Sequence, residues 1–511
     1  MGFMIGKYGV TLHRRITDHI FDSFSDNQMR MNRVWLVVLV MLACGCSGQE
    51  RLRVCVSEEV VQSSYLGNGV EWDPYDEAPS WGAEVSDSDW ETLFTRMDFL
   101  RPGFIRCMVG GQNLYYDRGT YDRERNAASL LKLLSYCQDR GIEVIYGEFN
   151  PPDRSLKADD AWVKMSVDYL DWLVQEKGFD CIRHFIIFNE PDGDWATPEG
   201  DYGFWKSMME RFHAEMARHP GLLEKVTLAG PDVVIEYRNP ASAYDAPGWV
   251  AQTAADLDSL VGLYDIHAYP GQHQVRSGAF ADMLGEFRIP EGKRLVLGEA
   301  GYKYWREEDA ALQAENDRRA EASPYTQGTD SQMLCGDFFY GLDLSILAMD
   351  VMNGGVAGLA VWMLDDALHA GGSSPRNLKI WGFWNILGEE LFGDKSLETP
   401  KPSFYGWAMM SRYFPRGCDI LKVDAPPVEG LRMAAACLDG RRTFAVVNFS
   451  DTDRVLDAAI PLSGGVRYEY VEGACPTDAD GLPVPVATGI GGNRHKLTVP
   501  AQGLVLLTDM P

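Results

Sequence analysis

Between residues 60 and 416 the chain switches repeatedly from short apolar runs to longer stretches whose apolar residues recur every three or four positions. Short runs bounded by Gly, Pro or a polar tip are the pattern of buried strands, and the 3.6-residue period is that of helices with one covered face. Strand-like runs lie at 65–75, 104–109, 142–149, 185–188, 226–229, 263–269, 294–299 and 358–363, about eight in all. Between the third and fourth, Trp162, Met165, Tyr169, Leu170 and Leu173 share one helix face, and Gly178 ends that helix. Eight strands, each followed by a helix, predict an α/β fold closed as a (β/α)8 TIM barrel over residues 52–416. A doubly wound sheet is the weaker reading, because no G-x-G-x-x-G follows the first strand.

After residue 416 the texture changes. Apolar runs at 431–438 and 442–449 flank Asp439-Gly440, a hairpin signal, and a last run covers 504–507. Residues 417–511 are therefore expected to form an all-β sandwich domain, with 52–56 as a strand that can join it. Residues 1–46 read as processing signal rather than fold. Arg30 and Arg33 precede an apolar run of 13 residues, 34–46, too short to span a bilayer and suited to a signal-peptide core. Met29 and Met31 can each start a compact signal, so residues 1–28 read as an extension that need not be expressed.

Without the five Lys/Arg and three Asp of residues 1–45, the net charge of −27 becomes −29. Such a chain repels polyphosphate, which excludes nucleic acid as the natural partner. The ten cysteines show no metal-ligand spacing, and most read as small buried hydrophobes, although an oxidising compartment permits a bridge. No cofactor motif and no metal site are evident.

Polar chemistry gathers at strand ends, the edge where barrel active sites lie. Asn189-Glu190-Pro191 ends the fourth strand, and Pro191 both lacks an N–H and disfavours helix at Glu190. Arg106 ends the second strand, His267 and Tyr269 the sixth, Glu299 the seventh and Trp362 the eighth. Glu190 and Glu299 are 109 residues apart, three strand–helix units of about 36, which places them across the barrel mouth from each other. The adjacent Asp365, Asp366 and His369, the strand-three residues Glu148 and Asn150, and the aromatics Trp381, Phe383 and Trp384 read equally well as structure or as contacts. Tyr302, Tyr304, Trp305 and the charged stretch 306–321 form a long insertion that either walls one end of a cleft or is simply solvated.

This set of strand-end residues resembles clan A glycoside hydrolases, in particular the cellulase and mannanase family five and its neighbours with β-xylosidases and β-glucosylceramidase-like enzymes. The resemblance implies a carbohydrate substrate and hydrolysis of β-glycosidic bonds with retention, by double displacement. Glu190 is then the acid/base, with a carboxyl raised by the neighbouring charge, and Glu299 the nucleophile, kept ionised by Arg106 and Tyr269. Asn189 is expected on the sugar's 2-hydroxyl, His267 in the polar cluster, and Trp362 under the sugar. Retention requires the two carboxyls about 5–5.5 Å apart. The small residues before Cys46 similarly resemble a bacterial lipoprotein signal, with Cys44 as the alternative, which implies secretion and a lipid anchor in the bacterial envelope as the only membrane contact. A glycan-binding lipoprotein without turnover is the competing reading; a metal-dependent hydrolase lacks the clustered ligands it needs.

Overall fold

The computed structural model describes residues 51–327, 329–372 and 374–511; the expected signal segment, with Cys44 and Cys46, lies outside them. Eight parallel strands close into a barrel in chain order: Gly67–Glu71, Phe104–Val109, Glu143–Glu148, Ile182–Ile186, Thr227–Val234, Val261–Ala268, Leu295–Ala300 and Gly358–Val361. Each is followed by helix, from Asp87–Leu100 after the first to Pro402–Tyr413 after the last. Strands two, three and seven are buried at every position. Phe104 and Met108 meet Ile145, Ile186, Leu263 and Val296 inside the barrel, while Ile105, Cys107 and Val109 pack beneath the helices. Burial on both faces is why these strands are continuous apolar runs instead of alternating ones.

Helix starts are set locally. Ser86 and Asp89 form a capping box on Asp87–Leu100, with the Ser86 N–H donating to Asp89 Oδ2 at 2.8 Å. Asp159 accepts from the Ala161 N–H at 2.8 Å and opens the helix that carries Trp162. Two stretches differ from expectation, and a third takes one of its two expected forms. The fifth strand runs on to Val234 through Gly230-Pro231-Asp232, a sequence that reads as a turn. The helical stretch between strands seven and eight is not one regular helix but a 3-10 turn, Met333–Gly336, followed by helix Phe338–Asn353. The charged insertion forms helix Ala310–Ala322, which is largely solvated, and its buried Asn316 bonds only to the segment 331–333.

The last ninety residues form an antiparallel β-sandwich, which also takes in the first described strand, Leu52–Gln62. That strand pairs antiparallel with Asp419–Asp424 and parallel with the first half of the long strand Arg454–Val471. The second half of the long strand pairs with Gly503–Thr508, so the sheet folds back on itself. Asp439 and Gly440 both have positive φ, 50° and 78°, as a two-residue hairpin turn requires. Ala435, Phe444, Val446, Val505 and Leu507 fill the sandwich interior, whereas their neighbours Ala434, Ala436, Ala445, Leu504 and Leu506 pack on the barrel side. All eight described cysteines are free thiols.

Two barrel helices support this junction. Tyr470 Oη lies 2.7 Å from the Phe338 carbonyl and 2.9 Å from that of Pro402, at the starts of helices Phe338–Asn353 and Pro402–Tyr413. The helices touch through glycines: a Cβ on Gly341 would come 2.9 Å from Ser403 Cα, and one on Gly406 would come 2.9 Å from the Gly341 carbonyl oxygen. Backbone cannot move aside as a side chain can. Gly406→Ala is therefore expected to destabilise the protein by about 1–3 kcal/mol in urea unfolding, as overpacking does, with an unchanged m-value. A neutral result would mean that the helices are not in close contact.

Candidate active site

The site is built on the carboxyl ends of the barrel strands, around one buried cation. Arg106 points inward between Phe104 and Met108 on strand two and is fully buried. Its Nη1 lies 2.6 Å from Glu71 Oε2 and 3.0 Å from Glu299 Oε2. Its Nη2 donates to Asn189 Oδ1 at 2.6 Å and to Asp232 Oδ2 at 3.1 Å. A guanidinium fork thus fixes side chains from strands one, four, five and seven at once.

Regular alternation does not aim all of these inward. On strand seven, Leu297 pairs with Ile266 and Glu299 with His267, two residues against one. This bulge at Gly298 turns Glu299 into the mouth. A second irregularity, between Pro231 and Val233 on strand five, puts Asp232 at φ 64° and turns its carboxylate toward Arg106 and His267. Glu190 also has a positive φ, 47°, held by its N–H donating to Asp232 Oδ2 at 3.2 Å and its carbonyl accepting from Gly193 N–H at 2.9 Å. Pro191 excludes the right-handed helical region there, and the residue takes the left-handed one instead of extended backbone, a strained geometry that packing maintains.

The two acids face each other. One oxygen of Glu190, one of Glu299 and a nitrogen of His267 all lie within 4.8 Å of one another. His267 Nδ1 is 3.0 Å from Glu190 Oε1 and 3.6 Å from Glu299 Oε2, and its Nε2 is 3.0 Å from Asp232 Oδ1. Tyr269 Oη donates to Glu299 Oε1. The Trp195 indole N–H donates to Glu190 Oε2 at 2.7 Å.

Burial opposes charge on His267, but Asp232 and Glu299 outweigh it and raise its pKa well above the usual imidazole value. Asp232, against burial, is brought down to about 2 by Arg106 and His267. Burial and the charge of Asp232 hold Asp265 at about 7, and burial, with Asp73 and Glu299, keeps Glu71 well above the carboxylate range. The working pair runs opposite to expectation. Burial pushes Glu190 up, but the hydrogen bond and charge of His267, with Lys303 and the Trp195 N–H, bring it below its usual value. Burial raises Glu299, the charge of Glu190 adds to this, and His267, Arg106 and Tyr269 offset only part of it. At Glu299 burial and the charge of Glu190 prevail over His267, Arg106 and Tyr269, whereas at Glu190 the closer His267 prevails over burial.

A cleft of about 640 Å³ opens above this cluster. Asn189, Glu190, Tyr269, Glu299 and Trp362 line it, whereas Arg106 and His267 lie beneath and touch its contents only through other side chains. These two are therefore positioning residues and not substrate contacts. With Asn189 Oδ1 taken by Arg106, the Asn189 amide hydrogens are left for an acceptor in the cleft. Trp362 is stacked by the His369 imidazole, centroids 5.5 Å apart and 5° from parallel, and His369 is held by Asp73 at 2.6 Å. Glu148 faces outward and is bound by Tyr115, Trp162 and Ser166, so it is structural, while Asn150 reaches the cleft. Asp365 binds Tyr75, Trp384 and two backbone N–H groups, also structural. Tyr302 and Tyr304 are buried away from the cleft; Lys303 and Trp305 line it instead. Sequence reasoning missed Glu71, Asp232, Asp265, Trp195, Glu236 and Tyr237.

A cation could in principle be held by Glu190, His267 and Glu299, or by Asp232, Asp265 and His267. Both nitrogens of His267 are already committed to carboxylates and Arg106 places a fixed positive charge beside both groups, a poor setting for a metal.

No family model matches the chain, and no curated protein matches it. Solved structures do. The catalytic domain of GH30 xylanase C from Talaromyces cellulolyticus aligns over 90% of this chain and 100% of its own, with a TM-score of 0.57 and 14% identity. At this identity the likeness shows the shared fold. A glucosidase from Croceicoccus marinus aligns at TM-score 0.60 and 12% identity, over 90% of this chain and 100% of its own. A GH39 β-xylosidase from Caulobacter crescentus aligns at TM-score 0.53 and 14% identity, with the same two shares. The structures named with a family number belong to families 30 and 39; of the families the sequence leaves open, a β-xylosidase neighbour is among them, and family five itself is not confirmed.

Proposed function

We propose that this chain is a retaining β-glycosidase in which Glu299 attacks the anomeric carbon and Glu190 is the acid/base. The observation that carries the reading is the spacing of the two acids, with oxygens within 4.8 Å under a cleft, close to the short separation of retaining enzymes and too short to admit the water that inversion needs. In the first step Glu299 forms a bond to the anomeric carbon while Glu190 gives its proton to the departing glycosidic oxygen. In the second, Glu190 takes a proton from water, the water oxygen bonds to the anomeric carbon, and Glu299 is released.

Both steps need one proton shared by the pair, on Glu190 at the moment of bond cleavage. Positive charge growing at the anomeric carbon favours ionised Glu299 and so sends the proton to Glu190, with His267, in reach of both, as the route. Tyr269 and Arg106 stabilise the Glu299 anion as it forms and again as it leaves. The xylanase, β-xylosidase and glucosidase among the similar structures direct the first substrates to β-xylosides and β-glucosides. The proposal includes a lipid on Cys46 that tethers the enzyme to the bacterial envelope, which rests on the sequence alone.

The test uses residues 51–511 with aryl β-glycosides and β-linked oligosaccharides, followed by proton NMR of the released sugar before mutarotation. The expected first product is the β-anomer. An α-anomer as first product overturns the retaining assignment, and no turnover of any β-glycoside overturns the enzyme.

A further inference from the structure

Roles for Glu190 and Glu299 leave one side of the cleft unexplained. The loops after strands one, two, three and eight bring Glu77, Gln112, Phe149, Trp362 and His369 to it. Those after strands four, five and seven bring Trp195, Glu236, Tyr237, Lys303 and Trp305. Glu190 belongs to the second side, through the Trp195 N–H at 2.7 Å. Trp195 is 47% exposed, a large apolar face left in water. It is nonetheless fixed in place. Its ring centroid lies 4.5 Å from that of Tyr237, tilted by 58°. A Cβ on Gly193 would come 2.4 Å from Trp195 Cε2, so only glycine leaves room for the indole in this position. Glu236 lines the same cleft: its Oε2 accepts from the Tyr269 N–H at 2.8 Å, and its Oε1, buried, has no hydrogen-bond partner among the described residues. An immobilised indole face and an unsatisfied acceptor on the same cleft match the C–H face and the hydroxyl of a pyranose.

We propose that Trp195, backed by Tyr237 and Gly193, is the platform for the first sugar of the leaving group, and that its indole N–H ties the seating of that sugar to the orientation of Glu190. The inference rests on the glycosidase reading and narrows it: the preferred substrates are β-linked oligosaccharides whose leaving group is itself a pyranose. Trp195 acts on bond cleavage through Glu190, as a positioning and specificity residue. Because the ring is half exposed and sits on a loop, its loss does not remove core packing.

The experiment compares two substrates with the same glycone, the disaccharide and the β-glycosyl fluoride, which has no aglycone to stack and needs little acid assistance. Trp195→Ala is expected to lower kcat/KM for the disaccharide by about 10- to 100-fold and to leave the fluoride within about threefold. Gly193→Ala, which displaces the ring without removing it, is expected to behave in the same way. Trp195→Phe keeps the stacking face and loses the N–H, so KM for the disaccharide stays near wild type while kcat falls. Equal losses on both substrates, or an unchanged disaccharide rate in Trp195→Ala, overturn the platform and leave the glycosidase standing. A wild type that turns over neither substrate overturns the glycosidase reading, and the platform falls with it.

Discussion

Glu299→Ala is expected to be inactive on every β-glycoside that the wild type cleaves, with kcat lower by at least about 10⁴-fold, and to regain activity in azide. The side chain supplies the only bond to the sugar, so nothing in the site substitutes for it: Tyr269 and Arg106 donate hydrogen bonds but carry no lone pair placed for attack. Truncation to Ala opens a space below the anomeric carbon, beside Arg106 and Tyr269, that suits a small anion. Azide entering there displaces an activated aryl leaving group from the face opposite to it, and the product is the α-glycosyl azide. Glu190→Ala should differ in kind. It loses most activity on disaccharides, keeps kcat/KM but not kcat on dinitrophenyl glycosides, whose departure needs no proton while hydrolysis of the covalent intermediate still needs the base, and yields the β-glycosyl azide from that intermediate. NMR of the azide products separates the two roles. If Glu299→Ala keeps its hydrolytic activity, the nucleophile is elsewhere; if the azide products come out exchanged, the two roles are reversed.

The barrel was legible because its strands are buried on both faces. Continuous runs such as FIRCMV and LVLGEA, separated by helix-period segments, have few other solutions, and the one charge in each, Arg106 in the middle of the first and Glu299 near the end of the second, stood out against them. The acid at Asn189-Glu190-Pro191 was legible because proline cannot continue a strand ladder, although the strand itself ends earlier, at Ile186. What stayed hidden depends on departures from regular geometry. Asp232 follows Gly230-Pro231, which reads as a loop, and only the bulged strand reveals it as the partner of both Arg106 and His267. Glu71 lies in a run, GNGVE, too short and too rich in glycine to read as a strand with an inward acid. The directions in which the two carboxyls shift were also beyond the sequence, since they depend on burial and on how close one imidazole lies to each, 3.0 Å and 3.6 Å. Trp195 was in plain sight five residues after Glu190, but a tryptophan in a polar loop carries no sign of which group its N–H will meet.

Arg106→Met is expected to be the most destabilising single change at the site, by about 3–5 kcal/mol near neutral pH, because it leaves buried charges without their counter-ion. The guanidinium is within 3.1 Å of oxygens on Glu71, Asp232 and Glu299, and it also fixes Asn189. The pH dependence separates this cause from lost packing. In the wild type, Asp232 is held at about 2 by Arg106 and His267, below its unfolded value, so its contribution to stability is present above pH ~4 and is lost as pH falls through 2. Without Arg106 the folded-state pKa values of Asp232, Glu71 and Glu299 all move up, and each carboxylate costs stability only while it is ionised. The penalty is therefore largest at high pH and shrinks as these groups take up protons. Urea unfolding at pH 8 and pH 5 is expected to show a loss larger at pH 8, and a loss equal at both would assign the effect to packing. Arg106→Lys keeps a charge without the fork, and cannot reach strands one, four, five and seven together. It should recover part of the stability while leaving kcat low, since holding Glu299 and Asn189 in register takes two separate nitrogens on one rigid plane.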